Sequence, residues 1–304
     1  MMTEENPYQS GIAYTDGSFC PIEEARIPIL DWGFLRSDAN QDTVSVWNGM
    51  FFRLEDHLDR FQRNNEKLRF KIPLSRDEIR TVLIDLVQES GFQNAYVQML
   101  MTRGRPPIGV RDLRMCENRF HAFCLPYIWL APEEVRHRGL HAHISPIQRI
   151  SSHSVDPTIK HYHWLDFQMG LFEAYDSGAE TVILTDSEGN ITEGPGFNVF
   201  MVEKNSLFTP ASGVLEGMTR RTVFELCELE GIRSVETSIS PERLHSAEEV
   251  FLSSTAGGLI PVTQLDGLSI GSGKPGETTL LLNQSYWKRR LEGWHATKIH
   301  DEEP

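Results

Sequence analysis

The chain is short of cysteine, of lysine and of long apolar runs, and each shortage closes off a class of function. Its four cysteines, Cys20, Cys116, Cys124 and Cys227, stand far apart with no Cys-x-x-Cys pair. Neither a zinc ribbon nor a disulfide framework is indicated, and buried free thiols are expected. No window approaches the roughly 20 apolar residues that a membrane span needs. The opening MMTEENPYQSG has neither the basic flank nor the apolar run of a signal peptide, so a cytoplasmic location without a membrane partner is expected. Positive charge is scarce too: a formal net charge of −14 repels phosphate backbones and argues against nucleic acid as a partner. No internal repeat stands out, and no Gly-x-Gly-x-x-Gly is expected to follow a strand, so no Rossmann cofactor site is expected. What remains is a chain of 304 residues, 39% hydrophobic and 24% charged, long enough for two domains with cores of their own.

Local signals alternate between strand and helix. Asp16-Gly17 lies between two extended runs and predicts a hairpin, and Asn48-Gly49 predicts another inside DTVSVWNGMFF. A helix should follow with Leu54, Leu58, Phe61 and Leu68 on one face. SRDEIRTVLIDLVQESG predicts a second helix, capped by Ser75 and closed at Gly91. NAYVQMLMTRG and FHAFCLPYIWL read as strands on either side of an arginine-rich loop, and APEEVRHRG, which lacks periodic apolar residues, as a connector. The expected division is a small N-terminal α/β domain over 1–128, a linker over 129–138 and a larger C-terminal domain over 139–304. In the second half a helix ending near Gly178 has Trp164, Phe167, Leu171 and Tyr175 as its core stripe, followed by the strand TVILTD. GVLEGMTRRTVFELCELEG reads as a turn and a helix, EEVFLSSTAGGLIPV as a strand and a small-residue turn. The class is α+β, without the regular βαβ rhythm of a doubly wound fold.

Lys67, Lys71, Lys204, Lys274, Lys288 and Lys298 occupy polar or turn-like contexts, whereas Lys160 lies in the aromatic stretch DPTIKHYHWLDFQMGLFEA. A lysine desolvated there becomes a nucleophilic amine; a lysine snorkelling from a helix start is the plainer alternative. His153, His161 and His163 lack acidic partners at ligand spacing, and no metal is expected. Three turns of the second half share one chemistry. Glu193 sits in a Gly-rich turn, Thr219 at a helix start with N–H groups suited to an anion, and Ser254 and Thr255 in a turn of small residues. Pyridoxal 5'-phosphate needs this combination: a lysine for the Schiff base, a carboxylate for the pyridine nitrogen, and donors around a phosphate.

On FRLEDHLDRF, DPTIKHYHWLDF, LTDSEGNITEGPGFNVF, TPASGVLEGMTRRTV and VFLSSTAGGLIPVTQLDG, in that order, the chain resembles the fold-type IV pyridoxal-phosphate enzymes. These include branched-chain and D-amino-acid aminotransferases, (R)-selective amine transaminases and aminodeoxychorismate lyase. FLRSDANQDTVSVWNG and TAGGLIPVTQLDG are most similar to the (R)-selective amine transaminases. The resemblance implies a two-domain α+β fold with a barrel-like sheet in the larger, cofactor-binding domain. It also implies a homodimer; Trp32, Phe34 and Trp47 of the first half suit such a contact, and core packing accounts for them equally well. By matching position, Lys160 is the Schiff-base lysine and proton carrier, and Glu193 the partner of the pyridine nitrogen. Arg60 joins the Met218-Thr219 and Ser254 turns at the phosphate, Leu215 packs on the ring, and Trp164 lines the substrate side.

The implied reaction is ping-pong transfer of an amino group between an (R)-amine or D-amino acid and a 2-keto acid such as pyruvate. A D- or branched-chain amino-acid aminotransferase and a lyase like aminodeoxychorismate lyase are the alternatives. Substrate-side candidates are Arg36, Gln41, Thr43, Tyr96, Gln98, Arg111, Trp164, Thr255 and Ala256. Arg36 and Gln41 stand where the amine transaminases usually have histidine and tyrosine, and Gln98 where several relatives have an acid. Facing the cavity, Arg36 would grip a substrate carboxylate; turned outward it would not. Arg111, with Arg105 and Arg114 in reserve, is the candidate for a mobile arginine that enters for carboxylates and leaves for apolar groups.

Overall fold

The computed structural model describes residues 10–299, so most of the opening segment read above for a signal peptide lies outside the described residues. The elements run β1 (Ile12–Thr15), β2 (Ser18–Pro21), α1 (Trp32–Arg36), β3 (Ala39–Trp47), β4 (Met50–Phe52), α2 (Leu54–Lys67), α3 (Arg76–Ser90), β5 (Ala95–Thr102), β6 (Arg119–Pro126), α4 (Glu133–Arg138), β7 (Leu140–Gln148) and α5 (Leu165–Asp176). There follow β8 (Thr181–Thr185), β9 (Glu193–Gly194), β10 (Phe197–Glu203), β11 (Ser206–Pro210), α6 (Met218–Leu229), β12 (Arg233–Thr237), α7 (Pro241–His245), β13 (Glu249–Ser254), β14 (Gly258–Leu265), β15 (Leu268–Ser269), α8 (Glu277–Leu291) and β16 (Ala296–Lys298). Among the described residues no helix is long and apolar enough to cross a membrane.

Two compact units result. The first comprises Met1–Ile128, Ile159–Tyr162 and Arg290–Pro304, the second Trp129–Thr158 and His163–Arg289. Sequence patterning set a linker over 129–138 between two continuous domains; in the folded chain the short stretch around Lys160, like the chain from Arg290, groups with the N-terminal unit. The Gln41 N–H donates to the Lys160 carbonyl (3.0 Å) and Asn40 bridges His161, so the stretch is bound to β3.

The first unit carries a seven-stranded sheet in the order β16-β4-β3-β5-β6-β1-β2. Its two hairpins turn where expected, at Asp16-Gly17 and Asn48-Gly49, all four residues at positive φ, the geometry that two-residue turns demand. On β3 the period-2 alternation sends Val44 and Val46 into the core with Leu54, Leu58 and Phe61 of α2. Asp42 shares that face by the same count, while Gln41, Thr43 and Ser45 share the opposite one. The register β3–β5 pairs Thr43 with Gln98 and Ser45 with Tyr96, which gathers the polar residues on one side of the sheet. α3 begins at the expected Ser75 with a reciprocal Glu78 capping box and ends at Gly91 in the left-handed region. Of the aromatics matched to a dimer contact, Phe34 is 69% exposed, whereas Trp32 is buried; its ring is covered by the guanidinium of Arg36, 3.5 Å from its centre.

The second unit holds a nine-stranded sheet: β12-β11-β10-β13-β14-β7-β8, with β15 on β14 and β9 on β10. Its interior combines Ile183, Val199, Met201, Leu252, Ile260, Val262 and Leu265 with the buried aromatics Phe197, Phe200 and Phe251. The stretch expected as a connector contains the short helix α4, and two other expectations are corrected. The buried face of α5 runs through Phe167, Gly170 and Ala174, whereas Tyr175 is 54% exposed. Gly170 lets the helix approach β8, since a Cβ there would fall 2.9 Å from Leu184 Cδ2. Finally, a Gly-x-Gly-x-x-Gly run does occur, Gly271 to Gly276 before α8. It follows the antiparallel β15, and the Glu249 carboxylate accepts from the N–H groups of Thr278 and Thr279 (2.9 and 2.8 Å). A carboxylate at that helix start excludes a nucleotide phosphate.

Candidate active site

In the first unit the buried acid on β3 organises the first group of residues. Asp42 meets Arg60 of α2 in a two-pronged ion pair, Nε to Oδ2 and Nη2 to Oδ1, both 2.7 Å. His57, one turn earlier on α2, has Nδ1 2.8 Å from Asp42 Oδ1. Asp42 and Arg60 are 0% and 2% exposed. Burial pushes the Asp42 carboxyl up, but the charges and hydrogen bonds of Arg60 and then His57 outweigh it and hold the acid well below the usual carboxylate range. Burial lowers the pKa of His57; Asp42 opposes this, while Arg60 and Lys160 reinforce it. Lys160, half-buried, is therefore tied to this group through its own backbone and through the field at His57.

On the opposite face of β3 and β5 the polar side chains form a chain of neutral groups. Thr43 Oγ1 lies 3.3 Å from Tyr96 OH, Tyr96 OH donates to Gln98 Oε1 (3.2 Å), and Gln98 Nε2 donates to Tyr162 OH (2.7 Å). Gln41 Oε1 is 3.5 Å from the Thr43 hydroxyl. Burial raises the pKa of both phenols, so they remain neutral donors. Tyr162, two residues after Lys160, escaped the sequence reading because its neighbours in the fold are 64 residues away.

In the second unit a row across β9, β10 and β13 places Glu193 beside Asn198 and Asn198 beside Ser253. The loop before α6 lies over that row. Asn198 Nδ2 donates to the Leu215 carbonyl (2.9 Å), and the Leu215 N–H donates to Glu193 Oε2 (2.8 Å). Glu193 Oε1 accepts from Nη2 of Arg149 (3.2 Å). α6 opens at Gly217 without a capping side chain, with Met218 and Thr219 buried in its first turn. A Cβ on Gly217 would fall 2.2 Å from Asn198 Oδ1, so the close approach requires glycine. Ser254 Oγ donates to the Gly196 carbonyl and accepts from the Ala256 N–H, with Thr255 half-buried between them. Trp164 stands at the start of α5, its ring edge-on to Phe167 and near Gly196.

These residues fit pyridoxal phosphate on a direct observation. Ser253 Oγ, buried in the row with Glu193 and Asn198, has no hydrogen-bond partner among the described residues, and the adjoining helix start offers unopposed N–H dipoles. Two expected substrate residues of the first unit are not among the hydrogen-bonded residues described there. Arg36 is exposed and stacked on Trp32, and Arg111 is exposed in the loop between β5 and β6; Arg114 in that loop is paired with Asp112. Asp42, His57, Arg149, Asn198 and Ser253 carried no sequence signal. Only the alternation along β3, which sets Asp42 on an apolar face, could have drawn attention to one of them.

A model of the family described as "Amino-transferase class IV" matches residues 41–265. The chain is 29% identical over 296 residues to a branched-chain-amino-acid aminotransferase of Pseudomonas aeruginosa, covering 92% of each. It is 28% identical to a D-alanine aminotransferase of Bacillus licheniformis, covering 87% of this chain and 92% of that one. Among solved structures it is similar to the branched-chain amino acid aminotransferase of Thermobaculum terrenum in its PLP form, at a TM-score of 0.85 and 27% identity, covering 98% of this chain and 100% of that one. With a lysine, a buried carboxylate and anion-ready turns standing on a matching fold, this chain belongs to the class IV aminotransferases and works with pyridoxal phosphate.

Proposed function

We propose that this aminotransferase moves an amino group between an (R)-amine or D-amino acid and a 2-keto acid such as pyruvate. The observation that carries the reading is the hydrogen-bonded run of neutral groups Gln41, Thr43, Tyr96, Gln98 and Tyr162; on the same face the buried Arg290 donates to Ser45 Oγ (3.2 Å). Such a run of neutral groups accepts an uncharged amine substituent. A keto acid still needs a cation, and the exposed loop of Arg111 supplies one able to come and go. The handedness rests on the likeness of FLRSDANQDTVSVWNG to the (R)-selective enzymes.

When bound, the cofactor supplies an electron sink for the bond broken at the substrate Cα. Lys160 Nζ would be the covalent anchor and, once displaced, the group that carries the substrate Cα proton. Glu193 would face the ring nitrogen. Arg60, the Met218-Thr219 turn and Ser254 would hold the phosphate, with Asp42 orienting Arg60. Leu215 would pack on the ring, and Trp164, Thr255 and Ala256 would bound the substrate side. A homodimer is part of the same proposal: Ile29, Leu30 and Phe34 expose apolar surface on the first unit, and a monomer in sedimentation at working concentration would remove it.

The test is a half-reaction without acceptor. The holoenzyme is mixed separately with (R)-1-phenylethylamine, its (S) enantiomer, D-alanine and L-leucine, and the visible band of the carbonyl form of the cofactor is followed. Bleaching by the (R)-amine and by D-alanine is expected. Bleaching by L-leucine alone refutes the proposal in favour of a branched-chain enzyme.

A further inference from the structure

Arg149 follows directly on β7 and belongs to no motif. Its side chain is 8% exposed and lies over Phe167, the guanidinium carbon 4.0 Å from the ring centre. Nη1 donates to Asp166 Oδ2 and Nη2 to Glu193 Oε1. Asp166 is anchored in turn by the N–H groups of Ile150 and Phe167, each at 2.9 Å. The side chains of Glu193 and Asp166 are both 7% exposed. One cation is thus shared by two buried carboxylates, and the Glu193 carboxylate is held at both oxygens, by a charge on one side and by the Leu215 N–H on the other.

We propose that Arg149 is a positioning residue that decides where the proton shared between Glu193 and the cofactor's ring nitrogen resides. The proposal rests on the reading of Glu193 as the ring-nitrogen partner. A guanidinium against a carboxylate lowers the carboxylate's affinity for a proton, and in a site this dry the effect is little screened. Glu193 therefore stays ionised and accepts, and the proton stays on nitrogen. Asp166 limits the effect by drawing on the same cation, and the Phe167 ring keeps the guanidinium from turning away. Without Arg149 the proton crosses: the N–H bond breaks, an O–H bond forms on Glu193, and no net charge leaves the pair.

The test uses holoenzyme reconstituted with pyridoxal phosphate labelled with 15N at the ring nitrogen and examined by 15N NMR at neutral pH. The parent protein and Arg149→Lys should show a protonated nitrogen. Arg149→Gln should move the signal to the unprotonated position. A purely structural role would weaken cofactor retention in both variants and leave the signal of the bound fraction unmoved, so a protonated nitrogen in Arg149→Gln overturns the proposal. Glu193→Gln separates the two assignments. If its signal also matches the parent, the reading of Glu193 fails and takes this proposal with it; if it shifts while that of Arg149→Gln does not, only the role of Arg149 fails. Should Arg149→Gln not fold, the parent holoenzyme carrying 13C-carboxyl glutamate decides. The Glu193 signal must be that of an ionised carboxylate, and a protonated carboxyl overturns the proposal.

Discussion

Asp42→Asn is the most exacting perturbation of this molecule, because it keeps the shape of a buried side chain and deletes the charge that balances Arg60. In the parent, two N–H groups of Arg60 reach the two carboxylate oxygens at 2.7 Å, and neither side chain meets solvent appreciably. An asparagine offers one oxygen and one NH2, so one guanidinium N–H then faces another donor and the cation loses its buried carboxylate. Breaking a buried pair in this way costs about 3–5 kcal/mol, a large part of the ~5–15 kcal/mol by which a folded protein is stable. For a unit of this size that corresponds to a fall in melting temperature on the order of 6–20 °C. Urea unfolding of the holoenzyme, followed by circular dichroism at pH 7, measures the difference. The pH dependence is a second check. The folded Asp42 carboxyl titrates below its ordinary value, so its contribution is complete above about pH 4 and is lost as the pH falls through the folded pKa. The curves of parent and variant must therefore converge in acid. A variant within about 1 kcal/mol of the parent at pH 7 would refute the reasoning, because it would mean that Arg60 finds equal compensation elsewhere.

Three further outcomes are expected. The folded pKa of His57 lies below its ordinary value, chiefly through burial, so its contribution is complete above about pH 6.5 and declines as the pH drops below that value. His57→Gln should flatten the stability profile below about pH 6.5, and an unchanged slope in denaturation would contradict this. Ser75→Ala removes the capping box at the start of α3 and should cost about 1 kcal/mol in chemical denaturation; no loss would mean that water replaces the cap. Arg111→Ala should reduce turnover with pyruvate as acceptor far more than the half-reaction with (R)-1-phenylethylamine, and equal losses would dismiss Arg111 as the mobile cation.

Much of the fold was legible locally. Asp16-Gly17 and Asn48-Gly49 announce their hairpins because few residues tolerate positive φ, and Ser75 and Gly91 bracket α3 because their side-chain chemistry suits the two ends of a helix. The expected stripe on α5 failed at Tyr175 for the converse reason. Apolar spacing marks a face, but the neighbour decides which face is buried, and β8 takes Phe167, Gly170 and Ala174. Arg36 shows the same limit: its place where the amine transaminases usually have histidine left open whether it faces a pocket or turns outward, and in the fold it stacks on the ring of Trp32.

The sequence by itself determined the family, through five short motifs in order, and with it the cofactor and the identity of Lys160 and Glu193 as candidate reactive groups. Only the tertiary structure decided what acts on those groups. Arg149 reaches Glu193 across 44 residues of chain, Arg60 reaches Asp42 across 18, and Gln98 reaches Tyr162 across 64. Backbone preferences act over a few residues, so they specify turns and caps. Ion pairs and hydrogen bonds between distant side chains depend on strand register and on which faces are buried together, and a charge acquires its partner only when the chain has closed around it.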